Sequence, residues 1–326
     1  MPNAAPLVRV VRSGVTESIH LGHVAVCDSS GRILACAGDP DRLLFARSSM
    51  KPLQAAVSLR RIGERQPQEL VAVMCASHNG EPVHVRGVRR LLRSGGLSER
   101  HLQCPPDLPM APDARKAVSG PRRIYHNCSG KHAGMLLASD RSGLELKTYL
   151  LPSHPLQREI VRAVRTATDV DRPLIGVDGC GAPVHGLPLK GMATLFARLS
   201  GPDRLGRLTE HAAAAVEAMR AQPYMVAGSG RSDTRIMQAV PGMICKVGAE
   251  GLHCAALLGQ GLGVAVRIDD GSDRAAAPAL VRVLELLGFL DGAQLERLAS
   301  VAAPPVLGGG RPVGALEAGF RLRRPR

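Results

Sequence analysis

Three short apolar segments follow one another between residues 242 and 270, and a glycine turn separates each from the next. They read MICKVGAEG, LHCAALL and GLGVAVRID. Apolar runs of this length with close turn signals predict consecutive strands of an antiparallel meander. Near the N-terminus, VAVCDSSGRILACAGD predicts a further hairpin around an Asp-Ser-Ser-Gly turn. We therefore expect one sheet built from the N-terminal segment and residues 242–270.

Helical spacing of apolar residues characterises the middle of the chain, roughly residues 82–220. Pro82 and Pro155 each stand where a first helical turn tolerates a missing N–H. Strands, then helices, then strands favour an α+β fold, in which helices flank an antiparallel sheet and also form a helical subregion. We expect residues 1–326 to form a single domain, as many enzymes of this size do. Within the helical part, LIGVDGCGAPVHGLPL predicts a buried strand that runs into a glycine-rich turn.

Charge and composition exclude some classes of function. The net charge is +14, but the arginines are scattered, and three tyrosines, four phenylalanines and no tryptophan leave few rings for stacking bases. A nucleic-acid partner is therefore disfavoured, although a basic zinc-containing nucleic-acid binder stays open as an alternative. The chain shows no secretory signal and no apolar stretch of membrane-spanning length, so we expect a cytoplasmic protein with no membrane partner. Its eight cysteines are then expected to be free thiols or metal ligands.

Lysine is rare in this chain, with six among 42 basic residues. Three of the six, Lys51, Lys131 and Lys246, lie close to a serine or a cysteine. An amine can lose its proton, act as a base or bind a metal, whereas a guanidinium stays charged. The placement of these lysines points to catalysis.

Ser48 and Lys51 form an S-x-x-K motif, which the spacing places on one face of a helix that begins near Ser48. A serine hydroxyl needs a base to become a nucleophile, and a lysine amine can serve. A capping serine beside a surface lysine is the structural alternative. Serine β-lactamases combine S-x-x-K with S-x-N and K-T-G. This chain has Ser77-His78-Asn79, and Lys246-Val247-Gly248 in a predicted strand.

Cys128 and Lys131 stand three residues apart on a predicted helix, and Cys180 ends a predicted strand. Two thiolates and a nitrogen donor suit Zn²⁺ and leave one coordination position open, although zinc usually recruits histidine rather than lysine. Two buried structural cysteines are an equally simple explanation of this spacing. The spacing alone leaves both interpretations open.

Six sequence blocks together resemble the rhizobial-type L-asparaginase II family, and they occur in the family's order. They are RSSMKPLQA, CASHNGEPVHV, HNCSGKHAGML, VDGCGAPVHGLPL, VAGSGRSDT and KVGAEG. The resemblance implies hydrolysis of L-asparagine to aspartate and ammonia, a homodimer, and a fold like that of serine β-lactamases, penicillin-binding proteins and glutaminases. It also implies two Ser-Lys pairs and a zinc site. The pairs are Ser48 with Lys51 and Ser77 with Lys246, and the zinc ligands are Cys128, Lys131 and Cys180.

An amino-acid substrate needs one protein charge of each sign, so Arg47 is our candidate for its α-carboxylate and Asp178 for its α-ammonium group. Backbone N–H groups near Ser48 or at Gly179 are candidates for holding the oxyanion. We also place Asn79 and His132 among the substrate-binding candidates.

The expected mechanism is acyl transfer, with Lys51 as the base for Ser48, while Ser77 with Lys246 stays open as the alternative source of the nucleophile. Zinc is expected as a cofactor that positions the substrate or supports the structure, since the two Ser-Lys pairs already account for activation. Another Ser-Lys amidohydrolase, such as a glutaminase, a β-lactamase-like enzyme or a peptide hydrolase, is the alternative function. Val247 stands where β-lactamases have the threonine of K-T-G, which disfavours the β-lactamase.

Overall fold

The computed structural model of the protein describes residues 3–324. They fold as two compact units. The strand unit contains residues 3–49, 187–201 and 235–324, and the helical unit contains residues 50–186 and 202–234. No helix within residues 3–324 combines the length and the apolar character that crossing a membrane requires.

Strands concentrate at the two ends of the chain and helices in its middle. The strands are β1 (Ala5–Arg12), β2 (Val15–Asp28), β3 (Ile33–Ala37), β4 (Leu43–Phe45), β5 (Leu174–Val177), β6 (Pro183–Pro188), β7 (Met243–Gly248), β8 (Leu252–Leu257), β9 (Leu262–Ile268), β10 (Pro305–Gly308) and β11 (Arg311–Ala318). The α-helices are α1 (Lys51–Ile62), α2 (Gln68–Met74), α3 (Pro82–Ser94), α4 (Pro112–Lys116), α5 (Ser129–Arg141), α6 (Pro155–Thr168), α7 (Leu189–Ser200), α8 (Thr209–Ala221), α9 (Pro223–Val226), α10 (Ser232–Ala239), α11 (Asp273–Leu286) and α12 (Gly292–Ala302).

The strand unit contains one antiparallel sheet in the order β10-β11-β1-β2-β9-β8-β7, with β3 paired to β2. The predicted meander is confirmed, because β8 pairs antiparallel with both β7 and β9. The predicted hairpin is confirmed by the antiparallel pairing of β2 with β3. The expected α+β fold, an antiparallel sheet flanked by helices, is therefore what the chain adopts.

Two helices cover this sheet. α7 packs on β2, β8 and β9, and α11 packs on β8, β9 and β11. Every residue of β8 is buried, so both faces of the sheet are covered at this strand. The approach of α7 is very close, since a Cβ at Gly263 of β9 would lie 2.0 Å from the Ala193 carbonyl oxygen. A side chain at position 263 would push the helix off the sheet.

The helical unit is organised around α5. This helix packs against α1, α2, α3 and α6, and its residues are buried from Ser129 through Ser139. A Cβ at Gly130 would lie 2.0 Å from the carbonyl oxygen of Val73, so only glycine allows the backbones of α2 and α5 to approach this closely. The first turn of α5 is therefore fixed against the end of α2.

Two local expectations differ from the structure. The helix expected near Ser48 is a short 3₁₀ turn, Arg47–Met50, and α1 begins at Lys51, so Ser48 and Lys51 do not share one α-helix. The strand expected to be buried is β5, which pairs with β6, but Leu174 and Val177 are 54% and 81% exposed. A short apolar run cannot by itself distinguish a covered strand from an exposed one.

Candidate active site

A buried amine and a hydroxyl meet in the helical unit. Lys51, the first residue of α1, is 1% exposed, and its Nζ donates to the Ala76 carbonyl oxygen at 2.6 Å and to Ser77 Oγ at 2.9 Å. Ser77 itself lies just beyond the end of α2 and is also buried. The lysine of the predicted Ser48-Lys51 pair thus donates a hydrogen bond to the serine of the predicted Ser77-Lys246 pair. Neither motif predicts this contact.

The backbone around Ser77 is held by its neighbours in the helical unit. The amides of Ser77 and Asn79 donate to the carbonyl oxygens of Val226 at 2.9 Å and Ala227 at 2.8 Å. The Met110 amide donates in turn to the Asn79 carbonyl oxygen at 2.7 Å. Ser77 is therefore presented by a fixed loop rather than by a mobile one.

His78 fixes the same loop from inside. The ring is fully buried, and its Nδ1 accepts a hydrogen bond from the Gly80 amide at 3.1 Å. Its Nε2 lies 3.0 Å from Ser129 Oγ, which donates its own proton to the Ile124 carbonyl oxygen. Because Ser129 can only accept here, His78 is neutral and carries its proton on Nε2. Burial, reinforced by the positive charges of neighbouring groups, holds the pKa of His78 well below its ordinary value, which agrees with this assignment.

Asn79 connects the Ser77 loop to residues 229–231. Its Nδ2 donates to the Ser229 carbonyl oxygen at 2.9 Å, and its Oδ1 accepts from the Arg231 guanidinium at 3.1 Å. Both the amide nitrogen and the amide oxygen of this predicted substrate-binding residue are thus hydrogen-bonded to other residues of the protein.

Glu81 supports the same segment. It accepts hydrogen bonds from the hydroxyls of Tyr224 at 2.8 Å and Ser229 at 2.6 Å. Burial raises the pKa of the Glu81 carboxyl, but the hydrogen bonds from Ser229 and Tyr224 outweigh it and hold the pKa below its ordinary value. The sequence motifs do not identify Glu81, since the two hydroxyl groups that it binds lie more than 140 residues away.

The strand unit carries the other two predicted catalytic residues. Ser48 is partly exposed in the 3₁₀ turn, whereas Lys246 is fully buried on β7 and donates from Nζ to its neighbouring Val247 carbonyl oxygen at 2.8 Å. The neighbouring Ser49, which the S-x-x-K motif does not include as a functional position, is fully buried and donates from Oγ to the Lys246 carbonyl oxygen at 2.9 Å. Ser49 thus ties the turn that carries Ser48 to the strand that carries Lys246.

Arg47 lies in the same turn with an unusual backbone. Its φ of 45° is in the left-handed region, which is strained for a residue with a side chain. Its Nη1 is 3.9 Å from Glu250 Oε1, so this predicted carboxylate-binding residue already faces a carboxylate of the protein.

The three predicted zinc ligands come together in the helical unit, and all are buried. Lys131 Nζ lies 3.0 Å from Cys180 Sγ, while the Cys128 thiol donates to Asn127 Oδ1 at 3.0 Å and the Cys180 thiol to Asp178 Oδ2 at 3.5 Å. The interaction between the two neighbouring thiols lowers the pKa of Cys128 well below the ordinary value and raises the pKa of Cys180. Burial lowers the pKa of Lys131, but the two neighbouring thiols outweigh it and raise the pKa above its usual value. The cluster therefore favours the charged form of Lys131 and eases the loss of a proton from Cys128.

These residues fit Zn²⁺. Two sulfur donors and one nitrogen donor converge in a buried position, which is a donor set that zinc accepts with a fourth position open. An ammonium cannot coordinate a metal, so loading would require Lys131 to give up its proton. The ligand set, which the family resemblance implied and spacing could not establish, stays a prediction that the local chemistry supports.

The remaining candidates also lie in the helical unit. His132 is fully buried, and its Nδ1 lies at hydrogen-bond distance, 2.6 Å, from the Tyr149 hydroxyl, which also accepts from the Gln103 amide at 3.1 Å. Asp178 follows β5 and accepts the Gly179 amide on Oδ1 at 2.9 Å. The Gly179 N–H, expected to hold an oxyanion, is thus already donated to Asp178.

Comparison with solved structures gives partial similarities at low identity. A beta-lactamase from Mycobacterium bovis is 19% identical with a TM-score of 0.41, and the alignment covers 86% of this chain and 95% of that one. The native form of a protein named Mglu is 16% identical with a TM-score of 0.40, over 84% of this chain and 67% of that one. No curated protein sequence gives a significant match to the chain.

The comparison with protein families gives a match over nearly the whole length. The sequence pattern of the L-asparaginase II family matches residues 8–318. This span includes the blocks that carry Ser48, Lys51, Ser77 and Lys246, as well as the cysteine and lysine cluster of the helical unit. The chain therefore belongs to the L-asparaginase II family.

Proposed function

We propose that this protein hydrolyses the side-chain amide of L-asparagine to aspartate and ammonia. Membership of the L-asparaginase II family supports an amidohydrolase, and asparagine is the substrate that the family's name specifies. The observation that carries the proposal is the buried contact of Lys51 Nζ with Ser77 Oγ at 2.9 Å. A lysine amine hydrogen-bonded to a serine hydroxyl inside the protein is suited to moving a proton during acyl transfer.

In the proposed reaction Ser48 is the nucleophile and Lys51 its base, as the S-x-x-K motif predicts. Ser48 Oγ attacks the amide carbon and passes its proton to the Lys51 amine. Collapse of the tetrahedral intermediate breaks the carbon–nitrogen bond, and the leaving amine takes up a proton as ammonia. In this proposal Ser77 relays that proton, and its hydrogen bond from Lys51 supports the role. Water then hydrolyses the acyl ester and returns Ser48 to its starting state.

We further propose that Cys128, Lys131 and Cys180 hold Zn²⁺. A bound zinc ion would supply positive charge that orients an oxygen ligand and stabilises negative charge. The two thiols and the amine would serve as ligands after losing their protons. The protein's own contribution is the burial of the three donors, which excludes competing water.

Ammonia release tests the function directly. The wild type is expected to release ammonia from L-asparagine, while Ser48→Ala is expected to release none. Parallel assays with L-glutamine and a chromogenic β-lactam separate the alternative amidohydrolases. Hydrolysis of either of these in preference to asparagine would overturn the proposed substrate. Repeating the assay after dialysis against a chelator measures whether the metal is required.

The homodimer implied by the family is also a proposal. The chain has a mass of 34.4 kDa, so sedimentation at micromolar concentration distinguishes a monomer from a species of twice that mass.

A further inference from the structure

Arg231 carries a positive charge that no carboxylate of the described chain neutralises. Its guanidinium donates to Asn79 Oδ1 at 3.1 Å and approaches the Met110 sulfur at 3.5 Å. Within residues 3–324 these two neutral groups are its side-chain partners. Several other arginines of the helical unit are paired with acids, among them Arg60 and Arg61 with Glu159. A half-buried guanidinium without an anionic partner is a place where an anion can bind.

This charge is attached to the loop that presents Ser77. Asn79, two residues after Ser77, binds Arg231 through its side chain. Its backbone amide and that of Ser77 are hydrogen-bonded to Val226 and Ala227, which lead directly into the segment that carries Arg231. The guanidinium therefore belongs to the same fixed assembly as the Ser77 hydroxyl and the Lys51 amine.

The geometry of the contact leaves most of the guanidinium available. An arginine has five N–H donors in a planar fork that matches a carboxylate with two parallel hydrogen bonds. Asn79 Oδ1 accepts from Nη1 alone. The opposite edge of the fork can thus bind a carboxylate without giving up the bond to Asn79.

Arg231 is not needed to hold the loop in place. Asn79 Nδ2 is bonded to the Ser229 carbonyl oxygen, and Glu81 independently binds the Ser229 hydroxyl and amide. A substitution at position 231 leaves these contacts intact. A role in binding is therefore separable from a structural one.

We propose that Arg231 binds the α-carboxylate of the substrate, so that the enzyme selects free amino-acid amides over amides that lack this group. The inference rests on the proposed asparaginase function and deepens it. It assigns to Arg231 the role that the sequence suggested for Arg47, whose guanidinium already faces Glu250 at 3.9 Å. Because the carboxylate keeps its charge throughout hydrolysis, the contact is expected to act on binding and hence mainly on KM.

The test compares Arg231→Gln with the wild type on two substrates. L-Asparagine carries the α-carboxylate, and 3-aminopropanamide is the same amide without it. For L-asparagine, kcat/KM is expected to fall about 10- to 100-fold, the range for losing a hydrogen bond to a charged group, with most of the change in KM. For 3-aminopropanamide the change is expected to stay below about threefold, because the lost partner is already missing. Arg231→Lys, which keeps the charge without the fork, is expected to lie between the two.

Arg86→Gln is the matched control, since it removes an exposed arginine from α3. This variant is expected to hydrolyse both substrates as the wild type does. An equal loss on both substrates, or no loss on either, would overturn the role of Arg231. If the wild type releases no ammonia from asparagine, the proposed function is wrong, whatever the role of Arg231. Calorimetric titration with L-aspartate then decides the case for Arg231, because equal binding by wild type and Arg231→Gln, or no binding by either, contradicts it.

Discussion

Two serines on α5 differ in one respect that a mutation can measure. Ser129 and Ser139 are both fully buried, but Ser129 Oγ donates to the Ile124 carbonyl oxygen at 2.9 Å and accepts from His78 Nε2 at 3.0 Å. Ser139 Oγ has no hydrogen-bond partner within residues 3–324. Alanine at either site removes one hydroxyl, and the accompanying change in helix propensity is at most about 0.5 kcal/mol. The difference between the two variants therefore isolates the hydrogen bonds.

The two substitutions are expected to change the free energy of unfolding by clearly different amounts. Ser129→Ala leaves a buried N–H and a buried carbonyl oxygen unsatisfied, at about 1–3 kcal/mol each, so we expect a loss of roughly 2–4 kcal/mol in the free energy of unfolding. Ser139→Ala removes a buried hydroxyl that is unsatisfied in the native state, so we expect no loss and a gain of up to about 1 kcal/mol. Because His78 supports the Ser77 loop, Ser129→Ala is also expected to lower kcat, whereas Ser139→Ala is not.

Urea unfolding followed by circular dichroism, with ammonia release measured on the same preparations, checks both statements. Free energies for the two variants that agree within about 0.5 kcal/mol, the usual scatter for surface substitutions, would refute the assignment of the His78 tautomer and its partner.

Lys51→Met keeps most of the side-chain volume and removes the amine, so ammonia release from asparagine is expected to fall by about 10²–10⁴-fold while the circular dichroism spectrum stays unchanged. Retention of a tenth of the activity would contradict the role of Lys51 as the base. His185 is buried and its pKa is lowered to about 4, first by burial and then by the Lys131 charge. The neutral His185 ring therefore stabilises the fold fully above pH 6.5, and the free energy of unfolding is expected to fall by about 3 kcal/mol in all as the pH drops from 6.5 towards 4. In His185→Asn the free energy of unfolding from urea titrations is expected to depend less on pH across this range. An unchanged pH dependence in this variant would contradict the role of His185. Zinc binding is expected to release protons, because Lys131 is an ammonium without metal. Calorimetric titration of zinc in buffers of different ionisation enthalpy measures this release, which Lys131→Met is expected to reduce. Identical heats for the two proteins would exclude the lysine as a ligand.

Local sequence patterns determine a large part of the fold. The strands β7, β8 and β9 were predictable because each is a short apolar run and glycines such as Gly251 and Gly261 stand in the turns, both with positive φ. The first helix was harder to place, since Pro52 allows a helical turn but does not say where the 3₁₀ turn ends and α1 begins. The exposure of β5 was not predictable, because it depends on what covers the strand and not on the strand itself.

The site was predictable in its residue types and not in its contacts. The motifs identify Lys51 and Ser77 separately, but periodicity carries no information about two residues 26 positions apart, so their hydrogen bond appears only in the folded chain. Glu81 and Arg231 were missed for the same reason, because Tyr224, which binds Glu81, and Asn79, which binds Arg231, lie more than 140 residues away along the chain. Lys131 as a zinc ligand rests on family resemblance, since zinc sites ordinarily use histidine at such a position.

The close approach of α5 to α2 sets a limit for anyone who wishes to redesign this enzyme. In a mutant library that varies the first turn of α5, every variant with a residue other than glycine at position 130 is expected to be destabilised. Even a single methyl group there would lie 2.0 Å from the Val73 carbonyl oxygen. Since the chain reaches Ser77 four residues after Val73, forcing the two helices apart would also move the serine. Diversity is better introduced at Arg231 and its neighbours on the 229–231 segment, where the backbone is tethered by side chains that can be exchanged one at a time.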